Sequence, residues 1–332
     1  MLAVAAAAAM LLVGAAAGLF LERQRTYDRN IRRIPDAFPA ESNRPVRAPG
    51  RAQNWLLVGS DRRADRATTG RDANQLLWRY GAQRADTIML VHLPADRDRA
   101  YLVSLPRDSW VPIQGRGNAK LNAAFSFGGP PLLIATIERL TGVRVDHFAI
   151  LDFEGFKSMT DALGGVDVHV TRTVWAPAQK VLWPAGTLHL DGARALDFVR
   201  QRHNLPGGDL GRIKRQQAFL KALAGQMVEQ GTLANPLKLN ALLEALTKAV
   251  SLDESLTISM LRTMALQFRS VRPGDVVFAT APVAGTGTEG RQSVVYLDPA
   301  KGQQLYRALR EDTVEEYLAG AGDAVNQVDQ VR

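Results

Sequence analysis

The sequence predicts an α/β fold, a sheet with helical cover, from three observations. The apolar runs Asn54–Val58, Thr87–Leu93 and Tyr101–Leu105 are short and end at turn residues or charges, as buried strands do. Behind Asp209, the residues Leu210, Ile213, Leu220, Leu223 and Met227 recur at helical spacing, and Leu239, Leu242, Leu243 and Leu246 do so within Pro236–Ala249. Strand-like runs then return at Val276–Thr280 and Ser293–Leu297.

The chain has 332 residues, 46% of them hydrophobic, enough for one large domain or two small ones. Its net charge of +8 favours an anionic partner: nucleic acid, a phospholipid surface or a phosphorylated substrate. There is no cysteine, which excludes disulfides, thiolate-bound zinc and thiol catalysis.

From the N-terminus, Leu2–Leu21 is uncharged and mostly Ala, Leu and Val. Roughly 20 apolar residues cross a bilayer as a helix, so residues 1–21 are expected to be a transmembrane anchor. A signal peptide is the alternative, but a basic segment before the apolar run is missing. Arg23, Arg25, Arg29, Arg32 and Arg33 follow the span and nothing basic precedes it. The positive-inside rule would then keep the C-terminal side in the cytosol; if that side faces outward, either the true start is expected upstream of Met1 with its own basic residues or the topology reading fails. Residues 22–53 hold Pro35, Pro39, Pro45 and Pro49 and read as a partly extended tether. Residues 54–300 are expected to form the main folded domain and 301–332 a helical tail, with Ala300–Leu309 and Val314–Leu318 as closing helices. Arg62–Tyr80 is polar and irregular and reads as a surface loop.

The three leading strands meet charges at their ends: Asp61, Arg84 with Asp86, and Arg107 with Asp108. Sites in helix-covered sheets gather at strand ends. One such residue alone is more often a turn cap or a local ion pair; three together weaken that reading. The densest basic stretch is Val199–Gln217, VRQRHNLPGGDLGRIKRQQ. Arg200 and Arg202, two apart, share a face if extended. Pro206-Gly207-Gly208 breaks the chain, and Asp209 is placed as the N-cap of a helix on which Arg212 and Gln216 share a face. Guanidinium forks on both sides of a turn match a phosphate or pyrophosphate, and a helix N-terminus adds favourable potential. A solvated basic helix is the competing reading.

In order, NWLLVGSD, RADTIMLVHL, SLPRDSW, KLNAAFSFGG, LDFEGFKSMTDALGGVDVHV, LHLDGARALDFVRQRH and GGDLGRIKRQQ resemble the successive signatures of the LytR–CpsA–Psr family. The resemblance is strong from about Asn54 to Gln230 and looser elsewhere. It implies an α/β/α sandwich around a mixed central sheet. It also implies a membrane-anchored, extracytoplasmic phosphotransferase of Gram-positive envelopes. Such an enzyme moves a glycopolymer from a polyprenyl-pyrophosphate carrier to peptidoglycan, with a muramic acid C6 hydroxyl as acceptor, and releases polyprenyl phosphate. By the same resemblance Asp61 and Asp86 hold Mg²⁺, while Arg84, Arg107, Arg200, Arg202, Arg212 and Gln216 contact the pyrophosphate and Asp209 orients Arg212. The catalytic set is then Asp61, Asp86, Arg107, Arg202, Asp209 and Arg212. The family's apolar slot for the carrier tail has candidate walls in Phe125, Phe127, Leu132, Leu133, Ile137, Phe148, Ile150 and Phe156, and ordinary core is preferred for most of them. The segment between Asp61 and Arg84 is longer than the family's usual one.

Other signals are discounted. Gly285-x-Gly287-x-x-Gly290 lacks the following helix of a dinucleotide fingerprint and reads as a hairpin or loop. The five histidines show no metal spacing. No GxSxG elbow is present. Two rivals remain: a lipid-pyrophosphate hydrolase using the same site, and a non-enzymatic DNA-binding regulator. The second has no visible recognition helix, so no nucleic-acid partner is expected.

Overall fold

The structure is a computed structural model, and it describes residues 30–47, 50–61, 68–70, 78, 80, 81, 83–232, 235–268 and 271–320. The expected anchor at 1–21 lies outside these residues. Among the described residues no helix is long and apolar enough to cross a membrane.

Seven strands form the central sheet, in the order Arg32–Ile34, Val250–Asp253, His147–Leu151, Gln53–Ser60, Ala85–Leu93, Ala100–Ser104, Val276–Thr280. Gln53–Ser60, Ala85–Leu93 and Ala100–Ser104 run antiparallel in succession, whereas Gln53–Ser60 is parallel to His147–Leu151 and Ala100–Ser104 to Val276–Thr280. The sheet is therefore mixed. Arg32–Ile34, inside the stretch read as tether, forms its edge strand beside Val250–Asp253.

Side-chain alternation divides the strand residues between two cores. Leu56, Val58, Ile88 and Leu90 pack against Leu121, Phe125, Leu133 and Ile137 of the helix Leu121–Thr141 and against Leu305 and Leu309 of the helix Pro299–Glu311. On the other face Trp55, Ala149 and Leu252 meet Leu239, Leu242 and Leu243 of Pro236–Ala249, while Met89, Leu102 and Phe278 meet Ala218 of Asp209–Glu229. Helices thus cover both faces, as the resemblance implied. A third cluster, built on Val166, Val168, Trp183, Phe198 and Phe219, lies outside the central sheet and contains two further hairpins.

Phe125, Leu133, Ile137, Phe148 and Ile150, considered for the tail slot, are core, with Phe127 and Leu132 partly buried against it; Phe156 belongs to the third cluster and stacks 5.2 Å from Phe219.

One local reading needs correction. Within Arg62–Tyr80, read as a surface loop, the described residues Thr68 and Thr69 are buried. Their backbone N–H groups donate to Asp152 Oδ2, and the Thr69 hydroxyl donates to the Ala249 carbonyl. Asp152 also caps the helix Phe153–Ala162, so one carboxylate fixes both segments. The Gly285–Gly290 stretch, expected as a hairpin or loop, is a hairpin, and its second strand reaches the Asp108 turn, where Val295 N–H donates to the Asp108 carbonyl at 2.9 Å.

Candidate active site

Three successive antiparallel strands return the chain to the same end of the sheet. The exit of Gln53–Ser60, the entry of Ala85–Leu93 and the exit of Ala100–Ser104 therefore lie side by side, carrying Asp61, Arg84 with Asp86, and Arg107 with Asp108. The register adds a device that local sequence does not announce. Gly59 faces Thr87 and Ser60 faces Ala85, which leaves Asp86 as the extra residue of a β-bulge. Bulges re-aim a side chain at a strand end. The Arg107 turn is fastened from below: the buried Ser109 hydroxyl donates to the Pro106 carbonyl at 2.6 Å, and the Asn122 N–H donates to the Arg107 carbonyl at 3.0 Å.

The start of Asp209–Glu229 closes over this strand end. Gly207 and Gly208 both take positive φ (76° and 56°), a conformation that favours glycine. Gly208 is the N-cap. Asp209, expected there, is instead the first helical residue, because the Gly-Gly turn already supplies the non-helical step. Its side chain is free to pair within the helix, and its Oδ1 lies 2.8 Å from Arg212 Nη2. Arg107 Nε is 3.8 Å and Arg202 Nε 3.7 Å from the same oxygen. Guanidiniums separated by up to 105 residues of chain thus surround one carboxylate. Arg107 also pairs with Asp86 Oδ1 and lies 3.8 Å from Asp108, whose other oxygen is 3.1 Å from Lys120 Nζ.

The electrostatics follow from this crowding. Burial lowers Arg212 to about 10, helped by the charges of Arg107 and Arg202 and opposed by Asp209 and Asp86. For Arg107 burial acts in the same direction, but Asp86, Asp209 and Asp108 outweigh it and hold it above its ordinary value. Asp61 is raised, first by burial and then by the charge of Asp86, against the Arg84 N–H that donates to its Oδ1 at 2.9 Å. Around the site Arg84, Arg107, Lys120, Arg202 and Arg212 face Asp61, Asp86, Asp108 and Asp209, one more cation than carboxylate. The Nε groups of Arg107 and Arg212, and both Asp209 oxygens, are buried without a hydrogen bond of proper geometry. Buried donors in this state are costly unless a ligand completes them.

Two predicted contacts are not brought into the cluster. Arg200 and Arg202 do not share an extended face, because Gly192–Arg200 is a helix, capped by Asp191, that ends at Arg200. The Arg200 guanidinium stacks over the Phe153 ring at 4.4 Å, while Arg202, in the following turn, points to Asp209. Gln216 donates to the Val199 carbonyl at 3.4 Å and so ties the two helices together. Asp108 was seen in the sequence as a strand-end charge but not as a partner for Lys120; that pairing crosses the Trp110–Ile113/Gly117–Lys120 hairpin and has no local signal. Two of the five histidines serve structure: His92 lies between Asn54 and Asp312, and His147 is 3.4 Å from Asp253.

For a cation, Asp61 and Asp86 supply hard oxygen donors whose mutual repulsion a divalent ion would relieve. No group of three or more acidic, His or Cys side chains is placed to hold a metal among the described residues. That donor count suits Mg²⁺, which keeps waters and takes substrate phosphate oxygens as further ligands.

A family model described as the LytR_cpsA_psr family matches residues 27–310. A Corynebacterium glutamicum protein named cell wall biosynthesis protein LcpA is 38% identical over 280 residues, which is 74% of this chain and 53% of that protein. A Bacillus mycoides protein named polyisoprenyl-teichoic acid–peptidoglycan teichoic acid transferase TagU is 34% identical over 169 residues, 51% of this chain and 50% of its own length. The chain thus spans about half the length of these curated relatives. The crystal structure of TagV from B. subtilis superposes with a TM-score of 0.65 at 22% identity, covering 80% of this chain and 97% of that one, and shows the shared fold.

Proposed function

The chain belongs to the LytR_cpsA_psr family, as its ordered motifs predicted, and we propose that it is a membrane-anchored, extracytoplasmic phosphotransferase moving a glycopolymer from a polyprenyl-pyrophosphate carrier to peptidoglycan. The observation that carries this reading is the convergence of Arg107, Arg202 and Arg212 on Asp209, with two buried guanidinium Nε donors left open. A pyrophosphate diester carries two negative charges and repels an incoming oxygen nucleophile until they are neutralised. Planar guanidiniums held in place before the substrate arrives neutralise them without reorganisation. Asp209 keeps the arginines apart and oriented while the site is empty of substrate, and the diphosphate takes over as their counter-anion.

In the proposed step the acceptor hydroxyl oxygen bonds to the phosphorus nearest the glycopolymer. The bond from that phosphorus to the polyprenyl phosphate oxygen breaks, and the hydroxyl proton passes to Asp61 or Asp86. Arg107, Arg202 and Arg212 receive the negative charge gathering on the leaving phosphate. Asp61 and Asp86 would hold Mg²⁺, which would supply further neutralisation of the phosphate oxygens. Arg84, exposed beside Asp61, screens the entry.

The test is reconstitution of the full chain with a lipid-linked glycopolymer and purified peptidoglycan, following the linkage formed. Polymer bound to peptidoglycan through a phosphodiester, with polyprenyl phosphate released, is the expected result. Free phosphorylated polymer regardless of acceptor would identify the hydrolase instead. No polymer release at all would sink both.

A further inference from the structure

The hairpin formed by Val174–Ala176 and Val181–Trp183 breaks the usual strand pattern. Its inward side chains Val174, Ala176 and Trp183 are buried, the last two in the third cluster, with Trp183 edge-on to Phe198 at 5.5 Å. Outward positions of such a ribbon are ordinarily polar. Here they are Trp175 and Leu182, directly paired across the strands and 48% and 55% exposed. The exposed Pro177 and Pro184 flank them. Residues 168–190 contain Arg172 and Lys180, both exposed, and no Asp or Glu. Lys180 lies in the turn of the ribbon with φ of 56°.

The ribbon is also bound to the arginine cluster. The Trp175 carbonyl accepts hydrogen bonds from the side-chain amides of Gln201 at 3.4 Å and Asn204 at 3.0 Å, the residues bracketing Arg202. Gln201 is fixed in turn by the buried Arg215 at 2.7 Å.

We propose that this ribbon is a bilayer-contact element: Trp175 and Leu182 enter the lipid interface, Arg172 and Lys180 meet anionic headgroups, and Arg202 is thereby set at headgroup level. Tryptophan beside an aliphatic side chain suits the interfacial layer. A basic, acid-free rim complements an anionic lipid surface. A soluble anionic polymer would use the same charges but has no need of an exposed leucine. The consequence for the carrier rests on the transferase reading, because a diphosphate on a membrane-embedded tail sits at that depth. The lipid contact itself does not depend on it.

The absence of cysteine makes the test clean. Leu182→Cys in the full chain provides a unique thiol for a nitroxide label, and Leu237→Cys, at an exposed apolar position on the helix Pro236–Ala249 (74%), provides the reference. In vesicles containing phosphatidylglycerol, the label at 182 is expected to show a several-fold higher ratio of oxygen to aqueous-reagent accessibility than the label at 237. Arg172→Glu with Lys180→Glu, in the Leu182→Cys background, should abolish the difference. Equal aqueous exposure at both positions would overturn the proposal, as would protection at 182 produced only by a soluble anionic glycopolymer. Trp175→Ser with Leu182→Ser should lower turnover several-fold on bilayer-embedded carrier and leave it unchanged on a detergent-soluble short-chain analogue. Loss on the short-chain analogue as well would place the pair in substrate handling and overturn a lipid role. Inactivity of the unmutated protein would fail the transferase reading while leaving the labelling result standing.

Discussion

Arg212 and Arg215 lie one turn apart on the same helix, both buried, and burial brings each to about 10. Their surroundings differ. Arg212 faces Asp209, Asp86, Arg107 and Arg202, a field of charges in which its Nε has no partner. Arg215 lies over the Phe198 ring at 4.3 Å and donates to Gln201, within the aromatic third cluster. Burial and a lowered pKa therefore do not distinguish a binding arginine from a structural one. The charges around it do.

The largest effect expected from this contrast is on chemistry. Arg212→Ala or Arg107→Ala should lower transfer by about 10²–10³-fold, the scale for removing one charge-stabilising donor. Thermal unfolding should suffer less for Arg212→Ala, whose removal also relieves repulsion with Arg107 and Arg202, than for Arg107→Ala, which leaves Asp86 without its partner. A variant of either kind transferring near the wild-type rate would dissolve the distinction. Arg107→Lys is expected to be nearly as damaging, since an ammonium cannot fork onto two oxygens.

Stability should respond in the opposite place. Arg215→Ala empties a packed site and is expected to cost about 2–4 kcal/mol in urea unfolding. Transfer measured where the fold is intact should then fall far less than for Arg212→Ala. Asp209→Asn separates the two roles further. It leaves three guanidiniums without their shared carboxylate, and about 3 kcal/mol is the scale for breaking a buried pair. Saturating inorganic pyrophosphate should restore much of that loss in a thermal melt, whereas it should leave Arg215→Ala unrescued.

The smallest effect concerns Asp61. A carboxyl raised in the folded state contributes stability that is fully present below its unfolded value near about 3.9 and is lost as pH rises through the folded value. At neutral pH its ionisation therefore disfavours the fold in the absence of a cation. Asp61→Asn should raise Tm at pH 7, and the gain should shrink as pH falls towards 4. A variant less stable than wild type at pH 7 would contradict this assignment.

Much of this arrangement was legible in the sequence because its signals are local. Asp61, Arg84, Asp86 and Arg107 each adjoin an apolar run whose ends are easy to see, and antiparallel succession then brings them together. Gly207-Gly208 announced the turn before Arg212. Arg200 was misplaced because the Arg-x-Arg spacing was read as extended. Asp191 followed by Ala195, Phe198 and Val199 at helical spacing was the available signal for the helix instead. The bulge at Asp86 depends on how two strands register, and the Asp108–Lys120 pair on a hairpin fold-back. Neither is written in any short window. Val250–Asp253, four residues in the sheet between Arg32–Ile34 and His147–Leu151, follows directly on the leucine-rich helix Pro236–Ala249, and its short run carries no strand pattern of its own.

The most direct measurement is a crystal structure of the protein with a short-chain prenyl diphosphate. The phosphates should lie within hydrogen-bonding reach of Arg107, Arg202 and Arg212, with the Arg107–Asp86 pair opened to admit them. An ordered diphosphate seated elsewhere, with those three guanidiniums still gathered on Asp209, would contradict the account.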